Sequence, residues 1–231
     1  MINIVLNRSQ QPYNKCVQGD NEQEHTGLIC DAVFNILIKD NRLNVLNIPP
    51  QNGADMSNLK ESVKISNDFI NRYGGKGYHL SIHSDAGYEG GGSSGFYYSD
   101  SGRDFGRPIY EKMCALTPWS DMSFYKREGL YELKHTTAVA FLLEISFHDK
   151  PNESEWIHNN INNIAQVIAS GIYRGIGLDQ PDMTTEEAIN ILVKNEIIKT
   201  PEYWILNAKP GSQCVGEYVS ELIKRMAKKM V

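Results

Sequence analysis

The chain has no block of consecutive Lys and Arg, and its 23 basic residues are outnumbered by 28 acidic ones, for a net charge of −5. Without a basic stripe the sequence does not read as a nucleic-acid binder. It also lacks a long apolar run. The most apolar stretch, "AVAFLLEISF" (residues 138–147), has ten residues and carries a charge, whereas a membrane-spanning helix needs about 20. The opening "MINIVLN" has neither a basic start nor a small-residue cleavage site, so it reads as a strand, not a signal peptide. Cysteine is scarce as well. Cys16, Cys30, Cys114 and Cys214 lie far apart without metal-type spacing, and free thiols in a reducing compartment are the expectation. What is present is ordinary for a soluble globular protein: 231 residues, 41% hydrophobic and 22% charged. That length suffices for one sizeable core and a small appendage.

Strand-like and helical patterns alternate along most of the chain. "INIVL" and "RLNVLNI" read as strands, "YHLSIH" as a third and "FYYSD" as a fourth, with "AVAFLLEISF" the most buried. Between them, "NEQEHTGLICDAVFNILIKD" places Leu28, Ile29, Ala32, Val33, Ile36 and Leu37 at helical spacing, with Asn21 as N-cap. Amphipathic helices are also expected over "LKESVKISNDFINRY", around "GRPIYEKMCAL", and from near Ser154 through Ile172. This alternation predicts an α/β fold, a mixed, mostly parallel twisted sheet with helices on both faces. The texture changes at "GLDQPDMTTEEA". Thr184 and Glu187 have capping-box spacing, Pro201 suits a helix start, and no strand follows. The expected organisation is a main domain over residues 1–178, a linker at 179–183 and a small all-α module over 184–231.

Candidate chemistry collects at the carboxyl ends of the strands, where open α/β sheets place their ligand crevice. Strand alternation puts His79, Ser81 and His83 on one face. Glu144 is the only charge in "AVAFLLEISF", a costly place for an acid unless it is paired, protonated or useful. The loop after the first strand and the start of its helix bring Gln10, Glu22 and His25 to the same edge. Imidazoles and carboxylates converging beside a further carboxylate suit a hydrolytic zinc site. The glycine-rich "GYEGGGSSG" lacks the Lys-Ser/Thr ending of a phosphate loop and leads into a strand. It reads as a hairpin-like connection at the cleft rim.

"SIHSDAG" resembles the "SIHxNA" motif of the zinc-dependent N-acetylmuramoyl-L-alanine amidases of the type-3 group. "AVAFLLEISFHD" looks like that family's "PAVLVELGFLSN" segment. "LYELKHTTA" resembles the stretch before it, and "NEQEHTGLI" is similar to the first-helix segment in which a glutamate precedes an apolar helix. The resemblance covers about residues 1–178, in the right order. It implies that Glu22 and His83 ligate Zn2+ and that Glu144 is the catalytic carboxylate. The family's remaining ligand is a histidine in a "GH" pair after the first strand. This chain has "NRSQQP" there, which leaves Gln10 by position or His25 by ligand preference. Asp85 replaces the motif's asparagine and either meets substrate or caps the turn. His135 and His148, which flank the strand carrying Glu144, are candidates for hydrogen bonds to substrate.

The implied activity is peptidoglycan hydrolysis by zinc-activated water, at the amide bond between the lactyl group of N-acetylmuramic acid and L-alanine. A degenerate member that binds wall fragments or a partner without cutting is the alternative, because the first histidine is missing. The helical module is expected to target the wall, to stabilise the enzyme, or to form a homodimer. The missing signal leads to the expectation of a protein made in the cytoplasm that acts on the bacterial wall after release, as an endolysin or autolysin does.

Overall fold

β-branched and leucine-rich segments supply the centre of the fold. In the computed structural model, which describes residues 1–87, 91–120 and 123–229, six strands form one sheet in the order β2-β1-β3-β6-β4-β5. They are β1 (Ile2–Arg8), β2 (Leu43–Asn47), β3 (Gly77–Asp85), β4 (Ser94–Tyr97), β5 (Ser123–Lys126) and β6 (Val139–Phe147). β2, β1, β3 and β6 run parallel, β4 runs antiparallel to β6, and β5 runs parallel to β4.

Because strand side chains alternate, each central strand feeds two cores. Ile4, Leu6, Leu80, Ile82, Phe141 and Leu143 join a large cluster. It includes residues of α1 (Glu22–Leu37), α3 (Asp100–Leu116), α5 (Pro151–Asn159) and α6 (Ile161–Ile176). Val5 packs against Ile70 of α2 (Asp55–Tyr73), and Ala140 and Leu142 pack with Leu133 of α4 (Tyr131–His135). Helices therefore cover both faces of a mixed, mostly parallel sheet. Close packing explains two glycines: a Cβ on Gly106 or Gly171 would run into Phe141 or the Ile109 backbone.

Three local details depart from the sequence reading. The single helix expected from near Ser154 is two, α5 and α6, broken at Asn160. Its side-chain amide donates to the Trp156 carbonyl, a local bond that competes with continued helix. The fourth strand ends at Tyr97, and Ser99 caps α3 through the Gly102 N–H. β5 lies in a segment read only as polar; it is an edge strand, mostly exposed. In the glycine-rich connection, residues 88–90 lie outside the described residues.

The chain divides into two compact units, Met1–Gln180 and Pro181–Val231. The second holds α7 (Thr185–Lys194), α8 (Pro201–Asn207) and α9 (Gly216–Lys229). Thr184 and Glu187 close a capping box on α7, and Ile189, Ile198 and Trp204 form the unit's small core. Among the described residues no helix is long and apolar enough to cross a membrane.

Candidate active site

The parallel register of β3 and β6 sets His83 directly beside Glu144. α1 begins at Glu22, one residue past the Asn21 cap. Asn21 accepts from Glu24 N–H while Glu24 reaches back to Asn21 N–H, and this capping box fixes where the helix starts. The result brings ligand atoms of Glu22, His83 and Glu144 within 4.8 Å of one another. They share a pocket of about 480 Å³ with Gln11, Asn14 and Arg127.

His83 lies among acids. Its Nδ1 is 3.0 Å from Glu22 Oε1, and its Nε2 is 3.3 Å from Glu132 Oε2. Burial disfavours the imidazolium, but Glu132 and Glu22 outweigh it and hold the His83 pKa well above its ordinary value. Glu22 accepts from the Ser84 N–H and from Asn14 Nδ2. Burial opposes its ionisation, yet His83 and Asn14 hold its pKa below the usual carboxylate range. Glu144 goes the other way. Burial, with the charges of Glu22, Asp85 and Glu132 added, raises its pKa despite His83. Its Oε2 is buried without a hydrogen-bond partner.

Three carboxyls around one imidazole leave an excess of negative charge, and one oxygen is orphaned. An imidazole nitrogen with carboxylate oxygens is a donor set that zinc accepts. The residues present therefore fit a divalent cation held by Glu22 and His83, with Glu144 beside it.

Glu132 is not singled out by the sequence, where "LYELKHTTA" stands only as a segment that resembles the family's. It is 4% exposed, and its Oε1 accepts from Asn7 Nδ2 and the Ser81 hydroxyl. Behind them, His79 lies between Ser66 and Ser81, with a hydroxyl at each ring nitrogen. The face carrying His79, Ser81 and His83 is thus a hydrogen-bonded file ending at the pocket. Burial holds His79 down to about 4.

Neither residue considered for the third ligand reaches this cluster. Gln10 is fully buried: its amide donates to Asn7 Oδ1, and its oxygen accepts from Gln23 and the Gln51 N–H. Its neighbour Gln11 lines the pocket instead. His25 points across the sheet end to Ser84, Cys16 and Asp20. The reason is strand alternation: His25, one turn past Glu22 on the same helix face, meets Ser84, which leaves β3 on the side opposite His83.

Asp85 does line the pocket, and its Oδ1 also accepts from the Ala86 N–H and so closes the turn. Burial raises its pKa, with Ala86 opposing and Glu22 adding to the effect. His148 lines the pocket too, its Nδ1 2.8 Å from Ser84 Oγ. His135 does not. It is exposed, stacked on Tyr131 at 4.3 Å, and precedes the amino end of β6, opposite the pocket.

A family model described as N-acetylmuramoyl-L-alanine amidase matches residues 11–176. None of the curated protein sequences matches the chain. Among solved structures, the catalytic domain of CwlV, an N-acetylmuramoyl-L-alanine amidase from Bacillus (Paenibacillus) polymyxa var. colistinus, is similar at TM-score 0.64 and 18% identity. The match covers 77% of this chain and 99% of that one. The catalytic domain of the CD27L endolysin targeting Clostridia difficile gives 0.59 and 19%, over 75% of this chain and 96% of that one. The CwlD amidase from Clostridioides difficile, solved in complex with the GerS lipoprotein, gives 0.60 and 16%, over 77% and 99%. At these identities the structures speak for a shared α/β fold. The family match spans well over half of the residues and includes the strand end at His83 and the strand that carries Glu144, so the chain belongs to the N-acetylmuramoyl-L-alanine amidase family.

Proposed function

We propose that the chain hydrolyses peptidoglycan at the amide bond between the lactyl group of N-acetylmuramic acid and L-alanine. The observation that carries this reading is the pairing of His83 with Glu144 across β3 and β6, with Glu22 against His83, in an open polar pocket. Glu22 and His83 would hold a zinc ion, which when bound supplies Lewis acidity toward the attacking water and the scissile carbonyl. Glu144 takes the proton from that water and delivers it to the departing amine of alanine. Burial suits it to the task, because a carboxyl with a raised pKa both accepts and returns a proton near neutrality. Glu132, 3.3 Å from the far nitrogen of His83, favours a proton on that nitrogen and leaves the one facing Glu22 for the ion. Asn14 and the Ser84 N–H orient Glu22. Arg127, at the pocket wall, is a cation suited to a carboxylate of the stem peptide.

The side chain of Gln10, turned away into its own hydrogen bonds, favours a second reading, in which the pocket binds wall fragments without cutting them. One experiment separates the two. Purified chain, loaded with zinc, is incubated with muropeptides, and the products are weighed by mass spectrometry. Release of a peptide with a free alanine amine, lost in Glu144→Gln, supports hydrolysis. Saturable binding of intact muropeptide with no new amine supports the binder. Cleavage inside the peptide overturns the proposed bond. On this reading the site of action is the bacterial cell wall. The homodimer expected through the C-terminal helices is not part of the proposal.

A further inference from the structure

We propose that Cys16, Asp20, His25 and His158 form a second metal site, closed and structural, that takes a zinc-like divalent cation. It stands apart from the pocket and does not depend on the hydrolytic reading.

The four residues come from three places. Cys16 and Asp20 bracket a tight turn between β1 and α1, closed by Cys16 N–H to the Asp20 carbonyl and Gly19 N–H to the Cys16 carbonyl. Gly19 sits at φ +98°, a conformation that favours glycine. His25 is in the first turns of α1 and His158 is near the end of α5. The donor atoms of Asp20, His25 and His158 lie within 4.8 Å of one another, and Cys16 adjoins them through His25. Cys16 Sγ is 3.2 Å from His25 Nδ1, His25 Nδ1 is 3.5 Å from Asp20 Oδ2, and Asp20 Oδ2 is 2.9 Å from His158 Nε2. Zinc bonds of about 2.0–2.3 Å in a tetrahedron give ligand-to-ligand edges of about 3.3–3.6 Å. The Asp20, His25 and His158 separations approach those edges; Cys16 reaches the group at His25, and Cys16 and His158 must draw together for both to bind one ion.

Second partners orient both imidazoles. His158 Nδ1 donates to the Ser154 carbonyl at 2.7 Å, so Nε2, which donates to Asp20 Oδ2, is the nitrogen that would give up its proton to take an ion. With His25 Nε2 donating to Ser84 Oγ at 2.7 Å, Nδ1 keeps its lone pair toward Cys16 and Asp20. This is the arrangement that fixes metal-bound histidines elsewhere. An independent sign is Asp20 Oδ1, buried and without a hydrogen-bond partner. One thiolate, one carboxylate and two neutral imidazoles balance a divalent ion. Soft sulfur beside imidazole favours zinc over calcium or magnesium.

Such an ion would tie the turn at residues 16–20 to α5. The same loop carries Gln11 and Asn14 into the pocket, and Asn14 holds Glu22. The site would therefore brace one wall of the cleft.

The test uses the full chain, stripped with chelator and reloaded with zinc or with cobalt as a spectroscopic probe. If the hydrolytic reading also holds, wild type carries two ions per chain. His83→Ala, which disables only the pocket, is expected to retain one. In cobalt-loaded His83→Ala a thiolate-to-metal charge-transfer band is expected, and Cys16→Ser in that background abolishes it. His158→Ala lowers the wild-type count by one. A His83→Ala protein that holds no ion, or holds cobalt without a thiolate band, overturns the proposal. Should His158→Ala fail to fold, the count and band in His83→Ala still decide. A wild type with one ion, kept in His83→Ala with its thiolate band, supports this site while counting against the catalytic one.

Discussion

His83 and Ser84 are consecutive at the end of β3, yet they serve two different polar clusters. His83 faces the side of the sheet covered by α2 and α4, where it meets Glu22, Glu132 and Glu144 beside an open pocket. Ser84 turns its hydroxyl to His25 and His148, among the side chains packed beneath α1 and α5. The first cluster has too many acids and an orphaned carboxylate oxygen in contact with a cavity. The second pairs one acid with two imidazoles and a thiol; Cys16 and His25 are buried, and Asp20 and His158 are half-buried. A strand end thus yields two chemistries by alternation alone. Access and charge balance decide which cluster can react and which can only hold.

The sharpest way to break this contrast is Glu144→Gln. The amide keeps the shape but cannot take a proton, so muropeptide cleavage should fall by about 10²–10⁴-fold. The thermal midpoint should stay level or rise, because a buried acid with an unsatisfied oxygen is replaced by a neutral group. A large loss of stability instead would mean that Glu144 is a structural partner and the pocket is not a reactive centre.

A second effect comes from the file behind the pocket. Burial holds His79 near 4, with Glu132 opposing and His83 adding to the effect, while in the unfolded chain it titrates near 6.5. Between these values the unfolded chain binds more protons, so stability is complete above about pH 6.5 and is lost as pH falls toward 4. The displacement corresponds to about 3 kcal/mol. Thermal unfolding in buffers from pH 4 to 7 should show this slope in wild type and a flatter one in His79→Gln. Equal slopes would refute the claim that this imidazole stays neutral among Ser66, Ser81, Glu132 and His83.

Glu132→Gln comes third. It keeps a partner for Asn7 but removes the charge facing His83 Nε2. Zinc affinity at the pocket, read by competition with a chelator, should fall by about 10–100-fold. Affinity at the Cys16 cluster should stay unchanged. Equal losses at both would erase the distinction between the clusters.

How far these clusters were legible in the sequence follows from the same geometry. A histidine ending an apolar strand and a lone acid inside another gave away His83 and Glu144, because burial makes such residues expensive. Glu22 was legible as the first residue after the Asn21 N-cap. Which β3 residue Glu22 and His25 would each reach was not, and so His25 was read toward the pocket when it meets Ser84 on the other side of the strand. Gln10 lay at the right point of the chain, but its four hydrogen bonds come from segments up to 41 residues distant, which no local pattern encodes. β5 escaped because an exposed edge strand has no apolar alternation to display. Glu132 escaped because its partners, Asn7, Ser81 and His83, arrive from other strands.

The smallest predicted effect lies at the junction of the two clusters. Asn21 caps α1, so it fixes where the helix starts, and with it the reach of Glu22 to His83 and of His25 to Ser84. Asn21→Ala removes the bond to the Glu24 N–H and half of the capping box, and should cost about 1 kcal/mol of stability. The informative readout is metal content. If helix start and side-chain direction are coupled, fraying of this first turn weakens both ions together, by similar modest factors. A variant that loses stability while retaining both affinities would show that the clusters are held by their own side-chain partners, and that the cap sets only the helix.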